Sequence, residues 1–314
     1  MWRKFFKMME KKYKRRFVET EIENWNDISK LNPRFLSGFV FRGMGDYNWH
    51  LESSLERMIK RFHSKNKTAH RIYPQGYEMD MLKEFQWKYP KYEKINNPKA
   101  DDIIEWLSIM QHYGSPTRLV DFTYSPYVAL FMAIDSSNEE NDASLWCLNE
   151  IILRNIICDD YEKKNDTRIS GIVSQKELIY QIANKVLYDS IMDDGRACVP
   201  NIYLVQPHKV NERILAQQGL FAIPEKIGVP FEENLFSLVD NQNPEIVPFQ
   251  DVIEYSNSDK MFKPHDYFLI KIRIPLKFRL DITKSLCLMN ISAETMYPGL
   301  EGLAKSLNRQ RYTG

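Results

Sequence analysis

His112, Tyr113, Thr117, Arg118, Asp121 and Thr123 crowd between two apolar segments, DDIIEWLSIM before them and PYVALFMAI after them. An imidazole, a phenol, two hydroxyls, a guanidinium and a carboxylate are the groups that move protons, clamp anions and orient ligands. Three further polar positions stand apart from this stretch: Arg42, at the end of the apolar run GFVF; Gln217 with Gln218; and Glu301. A cleft lined by all of them holds a fixed cation, an imidazole, amide donors and a carboxylate. That set lacks an obvious Ser or Cys nucleophile with a neighbouring base, which disfavours acyl transfer. The GxxxxGK[ST] and GxGxxG patterns are absent, which disfavours Walker-type phosphoryl transfer and a Rossmann cofactor site. The set suits transfer at a sugar carbon, where an oxocarbenium-like centre needs a carboxylate and phosphates need an arginine clamp.

Buried elements must hold these groups. Asp101 or Asp102 can cap a helix whose apolar face carries Ile103, Leu107 and Met110, and Gly114 suits its left-handed end. Leu119–Thr123 alternates as a strand, with Leu119, Asp121 and Thr123 on one face. Ser125 and Pro126 fit the N-cap and first turn of a second, nearly all-apolar helix over Tyr127–Ile134. Polar groups at such junctions need partners. Two readings fit: Arg118 and Asp121 tie the loop down as a structural pair with His112 a satisfied core histidine, or all three line a pocket.

The chain has 314 residues, 43 Lys and Arg against 42 Asp and Glu, and 43% hydrophobic residues, so net charge points to neither nucleic acid nor membrane. Cys147, Cys158, Cys198 and Cys287 follow no metal spacing and read as free thiols of a reducing cytoplasm. The expected metal set is none, because the histidines show no HExxH and no close cysteine. No apolar run reaches membrane length. The mixture of strands and helices without steady βαβ alternation predicts an α+β fold, a single mixed-sheet core flanked by helices with helical and loop insertions. The expected organisation is a basic N-terminal helical segment over 1–30, a main domain over 31–308 and a tail over 309–314. Within the domain, 149–200 reads as a helical excursion and 225–265 as a loop-rich insertion, either a lid over the site or a surface loop.

HYGSPTRLVDFTYSPYVALFMAI resembles the signature of the FRG domain family, named for a Phe-Arg-Gly tripeptide that stands here as Phe41-Arg42-Gly43. NERILAQQGLF over Asn211–Phe221 and ISAETMYPGLEGL over Ile291–Leu303 resemble two further segments of that family, in the same order. Val40-Phe41-Arg42-Gly43 is also similar to the strand end of ADP-ribosyltransferases, where an arginine anchors NAD. This second resemblance implies an NAD-dependent ADP-ribosyltransferase-like enzyme with a protein or nucleic-acid acceptor, and the FRG resemblance implies a toxin or antiphage defence effector of the bacterial cytoplasm. The second resemblance also implies that Arg42 grips the ribose or phosphate of NAD, that His112 and Tyr113 orient nicotinamide, and that Glu301 holds the ribose 2′-hydroxyl. Thr117, Arg118, Asp121, Thr123 and Gln218 complete the expected NAD-binding set. The Glu-x-Glu or Gln-x-Glu pair of that class is not visible after a clear strand, and its Ser-Thr-Ser feature is missing. Two other readings stay open. One is a non-enzymatic module that binds a nucleotide or nucleic acid through Arg42, Arg118 and the basic N-terminus. The other is a metal-dependent nuclease recruiting Asp101, Asp102 and Asp121.

Overall fold

A computed structural model describes residues 14–65, 74–93, 97–137, 140–192, 200–241, 243–258 and 267–309. Eight strands form one mixed sheet: β1 (Arg16–Glu21), β2 (Phe39–Met44), β3 (Val120–Thr123), β4 (Ala143–Asn149), β5 (Ile202–Val205), β6 (Gly219–Pro224), β7 (Glu245–Ile246) and β8 (Tyr267–Ile274). Their order is β5-β6-β3-β2-β4-β8-β1-β7. The pairs from β5 to β8 are antiparallel, while β1 runs parallel to both β8 and β7. The fold is α+β, as the element pattern predicts.

The helices among the described residues begin with α1 (Pro33–Leu36), α2 (Ser54–Lys65), α3 (Pro74–Lys88) and α4 (Ile103–His112). Then come α5 (Pro126–Ser136), α6 (Glu150–Asn165), α7 (Ile172–Met192), α8 (Glu212–Ala216) and α9 (Phe231–Phe236). The last four are α10 (Phe249–Ser256), α11 (Arg279–Leu288), α12 (Ala293–Met296) and α13 (Leu300–Arg309). The sheet is buried on both faces. Trp146 and Leu148 of β4 join a core with α3, α4, α6 and α7, whereas Leu145 and Cys147 join a second core with α5, α10, α11 and α12. This two-layer burial follows from the strand period: successive side chains of one strand feed opposite cores. None of the helices is long and apolar enough to cross a membrane.

Three expectations about organisation change. The described part of the 1–30 segment carries β1, between β8 and β7, with Phe17 and Val18 buried, and its one helical piece is a short 3-10 turn over Asp27–Lys30. Residues 1–13 lie outside the described residues. The 149–200 stretch is helical as expected, yet it is core rather than excursion, because Ala183 and Leu187 of α7 are fully buried beside Ile152 and Leu153 of α6. The 225–265 stretch holds α9 and α10, whose Phe231, Leu235, Phe249 and Val252 are buried, and none of its described residues lines the cleft below. Its polar composition concealed short amphipathic helices, each spending only two or three apolar residues on the core.

The elements predicted around the central stretch form with small shifts of boundary. Asp102 caps α4 by accepting from the Glu105 N–H, and Ser125 caps α5 by accepting from Val128, with Pro126 in the first turn. Gly114 takes φ +88° just past the end of α4. On β2, Gly43 is fixed by packing: a Cβ there would stand 1.8 Å from the Ala129 carbonyl oxygen of α5. At Gly45 a Cβ would stand 2.3 Å from the Ser136 backbone. The two glycines let α5 lie backbone against backbone on the strand.

Arg118 is 1% exposed, and it pairs with Glu78, itself 0% exposed, rather than with Asp121. Its Nε donates to Glu78 Oε2 at 2.7 Å, its Nη2 donates to the same oxygen, and its Nη1 donates to Ser190 Oγ at 3.1 Å. The pair therefore joins α3, the loop before β3 and α7. Breaking it leaves a buried charge without its counter-ion, a loss of about 3–5 kcal/mol. Glu78→Ala is expected to lower unfolding stability by that amount in urea titration, and Glu78→Leu combined with Arg118→Met to recover much of it. Gly43→Ala is expected to cost at least about 1–3 kcal/mol, the range for forced overpacking, measured by thermal unfolding.

Candidate functional site

The sheet nearly parts between β2 and β3. Along its length β2 pairs with β4, and β3 pairs with β6 over all four residues. Between β2 and β3 a single pair remains in register, Phe41 with Thr123. Beyond it the strands diverge, and the Arg42 side chain enters the gap. Its Nη1 donates to the Asp121 carbonyl oxygen at 2.7 Å, satisfying a backbone acceptor that a continuous ladder would have paired. Its Nε is buried and has no hydrogen-bond partner among the described residues. Desolvation pulls the Arg42 guanidinium below its ordinary pKa; the Asp121 charge opposes this shift and the Arg57 charge adds to it. An arginine stays protonated, so this records a cation whose charge is incompletely compensated.

The gap opens into a cleft of about 360 Å³. β2 contributes Arg42 and Gly43, and α4 contributes Ser108, Gln111 and His112. Asp121 and Thr123 come from β3, and Met132 and Asp135 from α5. The far wall is built by Asn211, Arg213 and Gln217 around α8 and by Tyr297 after α12. Hydrogen bonds fix this wall: Gln111 Nε2 donates to Asp121 Oδ1 at 2.8 Å, and Thr117 Oγ1 donates to Gln111 Oε1. Thr123 Oγ1 donates to the Gln217 carbonyl oxygen at 2.6 Å, and Gln217 Nε2 donates to the Met296 carbonyl oxygen at 2.8 Å. Asp135 Oδ2 accepts from the Tyr297 hydroxyl at 2.6 Å. The Tyr297 ring lies under Arg213 at 4.9 Å and Lys305 at 3.5 Å, a cation–π arrangement that links the cleft to α13. Three basic groups (Arg42, Arg213, His112) and two carboxylates (Asp121, Asp135) thus share one concave site, the composition expected of a site for an anionic ligand with a polar reacting group.

Of the residues predicted for the site, Arg42, His112, Asp121 and Thr123 line this cleft, with Gln217. The others stand elsewhere. Arg118 is locked into its buried pair with Glu78, and Thr117 is buried behind Gln111. Tyr113 is exposed just beyond the end of α4 and faces a neighbouring aromatic groove with Phe85, Tyr89 and Tyr92. Gln218 is exposed in the left-handed region at φ 48°, where its carbonyl accepts from the Tyr124 N–H, so its part is to turn the chain. Glu301 sits in the first turn of α13, exposed and 2.7 Å from Lys305. The hydrogen bond to Lys305 holds its carboxyl below the usual range, and the charges of Arg213 and His112 act in the same direction. It belongs to the rim near those two residues rather than to the wall. Asp101 and Asp102 lie at the opposite end of α4 from His112, about 15 Å away by helix rise, so with Asp121 they form no common metal cluster.

Sequence reasoning missed Gln111, Asp135, Arg213 and Tyr297. Asp135 carried a usable signal, a lone carboxylate at the end of the otherwise apolar PYVALFMAI run. Arg213 and Tyr297 lie within NERILAQQGLF and ISAETMYPGLEGL, but nothing in one dimension shows that these segments close the same cleft. Gly302 makes part of that closure: a Cβ there would stand 2.0 Å from the Tyr297 carbonyl oxygen.

No curated protein and no solved structure matches the chain. The family model of the FRG domain matches residues 37–142, the part that supplies β2, α4, β3 and α5 to the cleft.

Proposed function

We propose that the cleft binds NAD and transfers its ADP-ribose, with the chain acting as a toxin or defence effector on a protein or nucleic-acid acceptor. The observation that carries this reading is Arg42, a desolvated guanidinium with an unpartnered buried Nε beside a cleft that also holds two carboxylates. A desolvated arginine gains most from a phosphate, whose oxygens accept its forked donors. Arg42 grips the pyrophosphate or ribose, and Arg213 is the second cation for it. His112, which lines the cleft, is the side chain to orient the leaving nicotinamide in this scheme. In transfer the C1′–N bond breaks and its electron pair leaves with the nicotinamide nitrogen. The oxocarbenium-like centre is stabilised by a carboxylate, and an acceptor nucleophile then bonds to C1′ and gives up its proton. Asp121 and Asp135 are the carboxylates available in the wall, so the part expected of Glu301 passes to one of them, and Glu301 acts at the rim. Tyr113 and Gln218 have no contact role in this scheme.

A second reading is favoured by one specific feature. Asp121 and Asp135 are each engaged by a hydrogen bond, from Gln111 and from Tyr297. A site whose carboxylates are committed to its own wall binds a nucleotide without turning it over.

The two readings separate in one titration, in which calorimetry follows NAD binding and chromatography follows nicotinamide. Arg42→Ala is expected to reduce release by about 10²–10³-fold, the loss that follows removal of a preorganised charged donor, with Arg42→Lys recovering little. Asp121→Asn or Asp135→Asn is expected to abolish release while NAD still binds, and Glu301→Gln to change binding modestly. Saturable NAD binding with no release from the wild type would establish the binding module. Turnover that survives in both aspartate variants would remove the transferase assignment. Absence of any NAD binding, with salt-dependent RNA binding in its place, would shift the ligand class to nucleic acid.

A further inference from the structure

Asp102, Glu105 and His208 form a second polar cluster, with one ligand atom from each lying within 4.8 Å of the others. Asp102 caps α4, Glu105 lies in its first turn, and His208 follows β5. Glu105 is only 2% exposed, yet its Oε2 has no hydrogen-bond partner among the described residues. Its Oε1 is well served, accepting from the backbone N–H of His208 at 2.5 Å and of Lys209 at 3.1 Å. A buried carboxylate oxygen without a donor or cation is costly to keep.

The histidine has an outer carboxylate partner and an aromatic neighbour. Its Nε2 lies 3.1 Å from Glu177 Oε2, and its ring stacks on Tyr180 with centroids 4.0 Å apart. Donation of the Nε2 proton to Glu177 leaves the Nδ1 lone pair for a ligand, the carboxylate–histidine arrangement that fixes tautomer and ring. The Tyr180 hydroxyl donates to Asp102 Oδ1 at 2.7 Å, so both outer ligands are held by α7.

We propose that Asp102, Glu105 and His208 bind a divalent first-row metal ion, zinc being the ion that suits one imidazole and two carboxylates with a fourth position open to water. The His208 side chain is half exposed and is held at the edge of the cluster by Glu177 and the Tyr180 ring. The ion pins the start of α4 to the segment leading into α8. Ser108 comes one turn after Glu105, and Asn211 three residues after His208; both line the cleft. The metal therefore sets the spacing of two cleft walls without touching the reacting groups, and it does not depend on which ligand the cleft takes.

The test uses the full chain with Cys198 and Cys287 replaced by serine, stripped with chelator and titrated with zinc by calorimetry. One equivalent is expected to bind, and amide hydrogen exchange over 206–217 to slow on binding. Cobalt in place of zinc is expected to give d–d absorption without a thiolate charge-transfer band. His208→Ala is expected to weaken binding by at least 10-fold, and Glu177→Gln by about 10-fold, as loss of an outer carboxylate does. His208 is exposed enough for its variant to keep the fold, which circular dichroism checks. No saturable binding by folded protein, or binding undiminished in His208→Ala, overturns the site. Binding that leaves exchange over 206–217 unchanged overturns its part in holding the cleft.

Discussion

The contact between α5 and β2 governs the architecture. A helix usually rests on a sheet through interleaved side chains, but here Gly43 and Gly45 remove those side chains from the strand and the backbones meet directly. The approach is close enough that α5 carries Met132 and Asp135 to the edge of the same gap that Arg42 enters. It also orients β2: with its glycine face pressed on α5, Arg42 must project toward the other layer. The Phe-Arg-Gly tripeptide is thus a unit in which the glycine sets the position of the arginine. The phenylalanine keeps the last register pair between β2 and β3.

The cleft is a defect in the sheet stabilised by side chains. Where β2 and β3 part, backbone groups lose ladder partners, and Arg42 supplies one replacement by donating to the Asp121 carbonyl. The same guanidinium keeps a buried Nε without a partner among the described residues, so one residue both repairs the fold and brings a cation to the cleft. Gln111, Thr123 and Gln217 do similar double duty: each closes a hydrogen bond between neighbouring elements of the wall and lines the cleft. Such a wall is preorganised, because its polar groups are oriented before a ligand arrives.

Buried charge is handled differently a few residues away. Arg118 is as polar as Arg42 and sits only five positions before Thr123, yet it is sealed by Glu78 and Ser190. The contrast separates a structural arginine from one open to a ligand: the first has its donors matched by a carboxylate and a hydroxyl, while the second has a backbone carbonyl and an unpartnered Nε. Spacing in the sequence favoured neither, since both arginines adjoin a strand and both have Asp121 as a nearby acceptor candidate.

Local rules determined much of this protein before any tertiary contact. The caps at Asp102 and Ser125, the left-handed Gly114, the alternation of FLIKIRI and the apolar PYVALFMAI helix depend on residues within a few positions of one another, and they are present as read. The FRG match over 37–142 rests on the same local stretch. Pairings between residues far apart in the chain were decided only by the fold. Arg118 found Glu78, Asp135 found Tyr297, and Gln217 found the Met296 carbonyl. β1 entered the sheet despite its basic surroundings, because its successive residues Phe17 and Val18 could feed the two cores. Pairing at such distances depends on which surfaces meet when the two layers close, and a one-dimensional pattern records only that a partner is needed.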